Sequence, residues 1–237
     1  VRINSGGGDA YASEQMWHQM SELRKVKPVV VSMGDYAASG AYYMSAPASW
    51  IVAQPNTLTG SIGIFAVIPD FSGLVTTKLG VRFDEVKTNR HSTFGNLMAR
   101  PFNAEETAML QASVNRGYSL FRQRVADGRH LPIESVEKIA QGRVWLATDA
   151  LNIKLVDQFG GIDDAVKKAA ELAKLKEYYT SDYPAAASWI DNLLNSMTSS
   201  GTYLDAQLRQ TLGELYQPFT VLRSIDKREA IQARIPY

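Results

Sequence analysis

Val29-Val30-Val31-Ser32 is a short β-branched run, and a few residues later the chain has become the small, aromatic stretch Gly40-Ala41-Tyr42-Tyr43-Met44-Ser45-Ala46, closed by Pro47. A buried strand that must turn into a buried helix over Met33-Gly34-Asp35-Tyr36-Ala37-Ala38-Ser39 constrains the fold more than any other stretch. Ser39 is the hydroxyl at that junction. Free backbone N–H groups and the positive end of the helix dipole lie beside it. The flanking small residues let a substrate carbonyl approach the backbone. An acyl-transfer nucleophile needs this setting. The stretch alone leaves the alternative open that Ser39 is a helix N-cap in a tightly packed turn.

Upstream, Val1-Arg2-Ile3-Asn4 reads as a strand and Ser5-Gly6-Gly7-Gly8 as a turn that needs freedom in φ. A helix is expected over residues 10–23, with Met16, Met20 and Leu23 as its apolar stripe, before the strand over 29–32. This β–turn–α–β order implies parallel strands with a right-handed crossover, hence an α/β fold. Further on we expect strands over 50–53, 58–65 and 81–86, and a short helix ending before Gly80. Residues 91–102 read as a mobile loop. A long helix over 104–125 follows, with Asn103 as N-cap and Glu106 three residues later. Short helices are expected over 133–140 and 149–151, a strand at Val156, and a helix over 162–174. Glycines inside the strand over 58–65 mark close backbone approach.

The 237 residues are 45% hydrophobic, enough for one large domain or a domain with an appendage. We divide the chain into a catalytic domain over 1–177 and a helical tail over 178–237, with amphipathic runs at 190–197 and 204–216, for packing or assembly. A net charge of +1 argues against a nucleic-acid surface. Cysteine is absent and the three histidines lie far apart, so no thiol nucleophile, zinc site or other cofactor is expected. No apolar run approaches the length of a membrane span. The chain opens on a strand without Met, and we expect it to be a piece of a longer protein.

Taken together, Arg2-Ile3-Asn4-Ser5-Gly6-Gly7-Gly8, the 34–40 turn, Leu58-Thr59-Gly60-Ser61-Ile62-Gly63, Gly142-Arg143-Val144-Trp145, and Leu155-Val156-Asp157 with Gly160-Gly161-Ile162-Asp163-Asp164-Ala165 resemble the signal peptide peptidase A family, also called protease IV. The resemblance covers residues 1–174 and fits the C-terminal repeat of the long, two-repeat bacterial form. It implies a Clp-protease/crotonase-like spiral of ββα units, a serine–lysine catalytic pair, and assembly into a homo-oligomeric ring. It also implies cleaved signal peptides or other membrane-associated peptides as substrates, at the extracytoplasmic, periplasmic face of the inner membrane. Carried over by position, Ser39 is the nucleophile. Gly40 and Gly7 or Gly8 supply the oxyanion N–H donors, and Ser61 orients the lysine. One departure is Gly6, where the family turn carries proline.

The lysine itself is missing from the expected place. The matching position is Ser92, Lys87 sits about five residues early, Arg90 stays protonated, and His91, a loop histidine beside Arg90, could act as base but fits a solvated residue better. We expect the N-terminal repeat to supply the base. The same chain would fit a catalytically silent pseudo-protease that binds peptides in a ring. Acyl-CoA chemistry on the related crotonase fold needs no nucleophilic serine, and Ala38-Ser39-Gly40 argues against it. Tyr42, Tyr43, Ile62 and Ile64 are expected to form an apolar wall that lowers the lysine pKa.

Overall fold

The computed structural model describes residues 1–183 and 231–234. The chain forms two compact units, one of Val1–Lys174 with Ala230–Tyr237 and one of Leu175–Glu229. The first has mixed α/β content. Its opening run is strand β1 (Arg2–Ser5), strand β2 (Gly7–Asp9), helix α1 (Ala10–Val26), strand β3 (Val30–Ala38), helix α2 (Gly40–Ser45) and strand β4 (Trp50–Ala53). Strands β5 (Leu58–Gly60) and β6 (Phe65–Ala66) and a π-helical turn (Gly73–Lys78) follow. After them come α3 (Ala104–Arg129), α4 (Ile133–Ile139), β7 (Val144–Leu146), α5 (Ala147–Asn152), β8 (Gln158–Phe159), α6 (Ile162–Leu172) and β9 (Ile231–Arg234). The described part of the second unit, 175–183, contains no helix or strand. The helical runs expected at 190–197 and 204–216 lie outside the described residues.

β3 organises the main sheet. Its first half pairs in parallel with β4 and its second half with β5, while β1 runs parallel along its other edge. Two strands sharing one edge of a third force the sheet to curl between them. The bend falls at Gly34, whose carbonyl accepts from Thr57 Oγ1 at 2.7 Å. A Cβ there would stand 2.9 Å from the Asn4 side chain, and the β1 register slips between Ile3 and Ser5. Both faces of the first half of β3 are buried, as parallel strands require. Val31 and Met33 enter the main core with α2 and α3, and Val30 packs with Val52 and Ala165 beneath α6.

α2 is buried from Gly40 to Tyr43. Tyr42 donates its hydroxyl to the Leu155 carbonyl at 2.9 Å. α3 approaches so closely that a Cβ on Gly128 would lie 2.3 Å from the Ala46 carbonyl oxygen. The Asn103–Glu106 capping box expected at the start of α3 is present.

Several sequence expectations are corrected. The small-residue stretch after Ser32 is not a turn: β3 continues to Ala38, and the reversal is confined to Ser39. Residues 58–65 do not form one strand, because Ser61 takes a positive φ of 47° and separates β5 from β6, which belong to different sheets. Residues 81–86 alternate but pair with no strand among the described residues, and Val86 is 91% exposed. Glu85 instead turns to Lys87, Thr93 and Arg100. On α1 the buried face is Ser13, Trp17 and Met20, while Met16 and Leu23 are exposed, a rotation of the expected stripe. The strand expected at Val156 lies slightly later, at β8.

Candidate active site

Ser39 occupies the junction between β3 and α2 with φ 54° and ψ −120°. A positive φ outside glycine is costly and persists only where its surroundings impose it. Here the backbone is held at both ends. The Ser39 N–H donates to the Gly60 carbonyl at 2.8 Å, and its own carbonyl accepts from the Tyr43 N–H at 2.8 Å. The Ser39 side chain has no hydrogen-bonding duty among the described residues. It makes no capping hydrogen bond, although it stands at the N-cap position of α2. The residue is fully buried, and Oγ has no hydrogen-bond partner among the described residues. Ser39 is thus the N-cap residue without the capping bond that the N-cap alternative would supply.

Ser61 follows Gly60 and so adjoins Ser39 across the β3–β5 ladder, where Ala38 is in register with Gly60. It is 2% exposed. Its N–H donates to the Arg143 carbonyl at 2.7 Å. Its Oγ makes only a long contact of 3.4 Å to the Gly142 carbonyl. Gly60, at φ +77°, leaves no room for a Cβ against Trp145. Gly63 lies backbone to backbone with Gly142, 3.0 Å from where its Cβ would be. The close approach expected at these glycines is thus to the 142–145 segment of the same chain.

Gly40 is the first residue of α2 and is buried. Gly7 and Gly8 lie in β2, which packs beside α2. The Gly7 N–H donates to Ser5 Oγ at 3.2 Å. β9 runs antiparallel to β2, with Gly8 opposite Ala233, and antiparallel to β6 on its other edge, with Phe65 opposite Gln232. An extended segment therefore lies between β2 and β6, next to α1 and α2.

The basic residues singled out in the sequence point elsewhere. Lys87 pairs with Glu85 at 3.0 Å. Arg90 and His91 both face Glu105, His91 through Nε2 at 3.3 Å. Ser92 donates to the Asn89 carbonyl. Of the four residues expected to form an apolar wall, Tyr42 and Ile62 are fully buried in the core, Tyr43 directs its hydroxyl at Glu14, and Ile64 packs at the edge of the core. Tyr43 and Glu14 form a contact that sequence reasoning missed, since nothing in the pattern links positions 29 residues apart.

The family model for peptidase family S49 matches residues 21–176, more than half of the chain and including Ser39. This chain belongs to peptidase family S49. Within the family it is 45% identical over 201 residues to Protease 4 of Salmonella typhi, covering 84% of this chain and 32% of the relative. It is 35% identical over 218 residues to the chloroplastic serine protease SPPA of Arabidopsis thaliana, covering 91% of this chain and 32% of that protein. With Protease 4 of Haemophilus influenzae it shares 41% identity over 180 residues, 75% of this chain and 28% of the relative. The chain thus spans about a third of the length of these S49 relatives. The family match begins in the middle of α1, so β1 and the glycines of β2 precede it. Among the described residues no helix is long and apolar enough to cross a membrane.

Proposed function

We propose that this chain carries the nucleophile of a serine endopeptidase that hydrolyses extended peptides, with cleaved signal peptides and other membrane-associated peptides as its substrate class. The observation that carries the reading is Ser39: a strained, buried serine whose hydroxyl neither caps its helix nor bonds to any described group. Strain without a structural return is characteristic of a functional position.

In this reading Ser39 Oγ attacks the scissile carbonyl and gives its proton to a neutral lysine amine. The lysine passes that proton to the leaving amine, and water then releases the acyl-enzyme. The Gly40 N–H and a β2 N–H hold the oxyanion, and loss of one such donor costs about 3–4 kcal/mol of transition-state stabilisation. Because the Gly7 N–H already faces Ser5, Gly8 is the preferred second donor. Ser61, with a weakly engaged hydroxyl beside Ser39, orients the lysine. That lysine comes from outside this chain, from an N-terminal repeat of the same protein. The pairing of β9 between β2 and β6 supports an extended substrate, since a peptide laid there gains main-chain hydrogen bonds on both edges.

The wider assembly belongs to the same proposal. It comprises ββα units wound into a spiral, a tail over 178–237 that packs on a neighbour, a homo-oligomeric ring, and a site at the periplasmic face of the inner membrane. A second reading, a silent peptide-binding subunit, draws on Ser39 Oγ having no acceptor among the described residues. A fluorophosphonate probe applied to the full-length protein separates the two. Labelling that Ser39→Ala abolishes supports catalysis, and an unlabelled assembled protein favours the silent subunit.

A further inference from the structure

We propose that Glu14 is a positioning residue for the reaction, holding β2 at its working distance from Ser39 by tying α1 to α2 and α3. The proposal rests on the reading of Ser39 and the β2 glycines given above. It starts from how rigidly β2 is joined to α1. Asp9 Oδ1 accepts from the Ala12 N–H at 2.7 Å, and the buried Ser13 donates Oγ to the Asp9 carbonyl at 2.7 Å. The last residue of β2 is therefore latched to the first turn of α1, so any displacement of the helix is passed to Gly7 and Gly8.

Glu14 lies on the next part of that helix. Its Oε2 accepts from the Tyr43 hydroxyl at 2.5 Å, and its Oε1 accepts from Arg124 Nη2 at 2.5 Å. Tyr43 is one turn beyond Ser39 on α2 and is bonded to it through the backbone. Arg124 is on α3, and its guanidinium lies 3.7 Å from the ring centroid of Trp17 on α1. The Tyr43 ring packs on Phe121 of α3 at 4.5 Å between centroids. Burial and the carboxylate push the Tyr43 hydroxyl well above its ordinary pKa, so it remains a donor throughout the working range.

Among the described residues this is the side-chain hydrogen bond that joins α1 to α2. Apolar packing between the helices is non-directional and tolerates sliding, whereas a charge-assisted fork sets one register. A misplacement of about 1 Å between a donor and the developing oxyanion can cost on the order of a hundredfold in rate. Glu14 does not touch the reacting atoms, and its influence should appear in kcat rather than in KM.

The test uses the full-length protein, with active sites counted by fluorophosphonate stoichiometry and kinetics measured on a peptide ester. Glu14→Ala is expected to lower kcat per titrated site by about 10- to 100-fold with KM within about twofold. Tyr43→Phe should give a smaller loss of the same kind. Glu14→Gln, which keeps an acceptor for Tyr43 but not the charge facing Arg124, should fall between wild type and Glu14→Ala. If Glu14→Ala does not fold, the two milder variants carry the test. A lowered melting temperature with kcat per site unchanged in every folded variant overturns the proposal. Ser39→Ala run alongside distinguishes the two levels. Hydrolysis that survives it removes the underlying reading, whereas hydrolysis lost in Ser39→Ala but retained in the Glu14 and Tyr43 variants removes only the role of Glu14.

Discussion

The Ser39 N–H donates to the Gly60 carbonyl at 2.8 Å, and this one bond places Ser39 and Ser61 at neighbouring ends of two parallel strands. Beyond it neither strand continues, and both serines take positive φ, 54° and 47°. Two buried hydroxyls in backbone of positive φ thus meet at one ladder end, and the proposed roles of Ser39 and Ser61 rest on that arrangement. Ser61→Ala in the full-length protein is expected to lower kcat by on the order of tenfold or more. KM should change little, because in the proposed mechanism the Ser61 hydroxyl orients the lysine and does not touch the peptide. Steady-state kinetics on a peptide substrate checks this, and an unchanged kcat removes Ser61 from the site.

The second prediction concerns the base. His91 Nε2 faces Glu105, and Lys87 is occupied by Glu85. The 237-residue chain produced alone should therefore fold but hydrolyse peptides only at the low rate left by oxyanion and binding contributions. His91→Ala should leave the activity of the full-length protein unaltered. Co-expression of the chain with the N-terminal repeat should restore hydrolysis. Full activity from the chain alone, or loss of activity in His91→Ala, would show that the base is here after all.

A third prediction follows from the packing behind Ser39. A Cβ on Gly128 would meet the Ala46 carbonyl oxygen at 2.3 Å and its carbon at 2.6 Å, and backbone cannot step aside as a flexible side chain can. Gly128→Ala should cost about 1–3 kcal/mol of stability through overpacking. It should also reduce activity, since the strain falls on the end of the helix that begins after Ser39. Urea denaturation measures the first effect and kinetics the second. A stability equal to wild type would mean that α3 can withdraw from α2 at little cost.

Which parts of this arrangement are legible in the sequence follows from the range of the interactions. The element order of the β–α–β opening and the cap of α3 are local patterns, and they read correctly, whereas the two expected turns do not, since Gly7–Asp9 is strand β2 and β3 runs on to Ala38. The stripe on α1 was misplaced because Met16 and Leu23 are as apolar as Met20, and only the position of the sheet decides which face turns inward. The alternation over 81–86 suits a strand, but a strand needs a neighbour, and sequence alone does not provide one. The end of β5 was hidden for a different reason. It depends on the Ser61 N–H meeting the Arg143 carbonyl, a contact with a distant segment. Glu14 was invisible for the same reason, since Tyr43 and Arg124 reach it from two other helices.

The last prediction concerns the start of α3. Glu106 is fully buried, and its carboxylate receives both Arg100 Nη1 at 2.7 Å and Arg100 Nη2 at 2.8 Å, with the Asn103 N–H at 2.9 Å. The Arg100 hydrogen bonds first, then the Asn103 N–H, hold its pKa down at about 2, against the opposing effect of burial. In the unfolded chain the group returns to its ordinary value of 4.5. The folded state thus binds the proton less readily than the unfolded state, and the ionised carboxylate stabilises the fold above that ordinary value. As pH falls from 4.5 toward about 2, the unfolded chain takes up protons first, and this contribution is lost. Glu106→Gln keeps the shape but removes the charge, so wild type should exceed it in stability by a constant amount at neutral pH. The difference should shrink across that acid window and vanish at its lower end. Urea midpoints of both proteins measured from neutral to acid pH test this. A difference that stays constant throughout would show that the ionised carboxylate does not carry this stability.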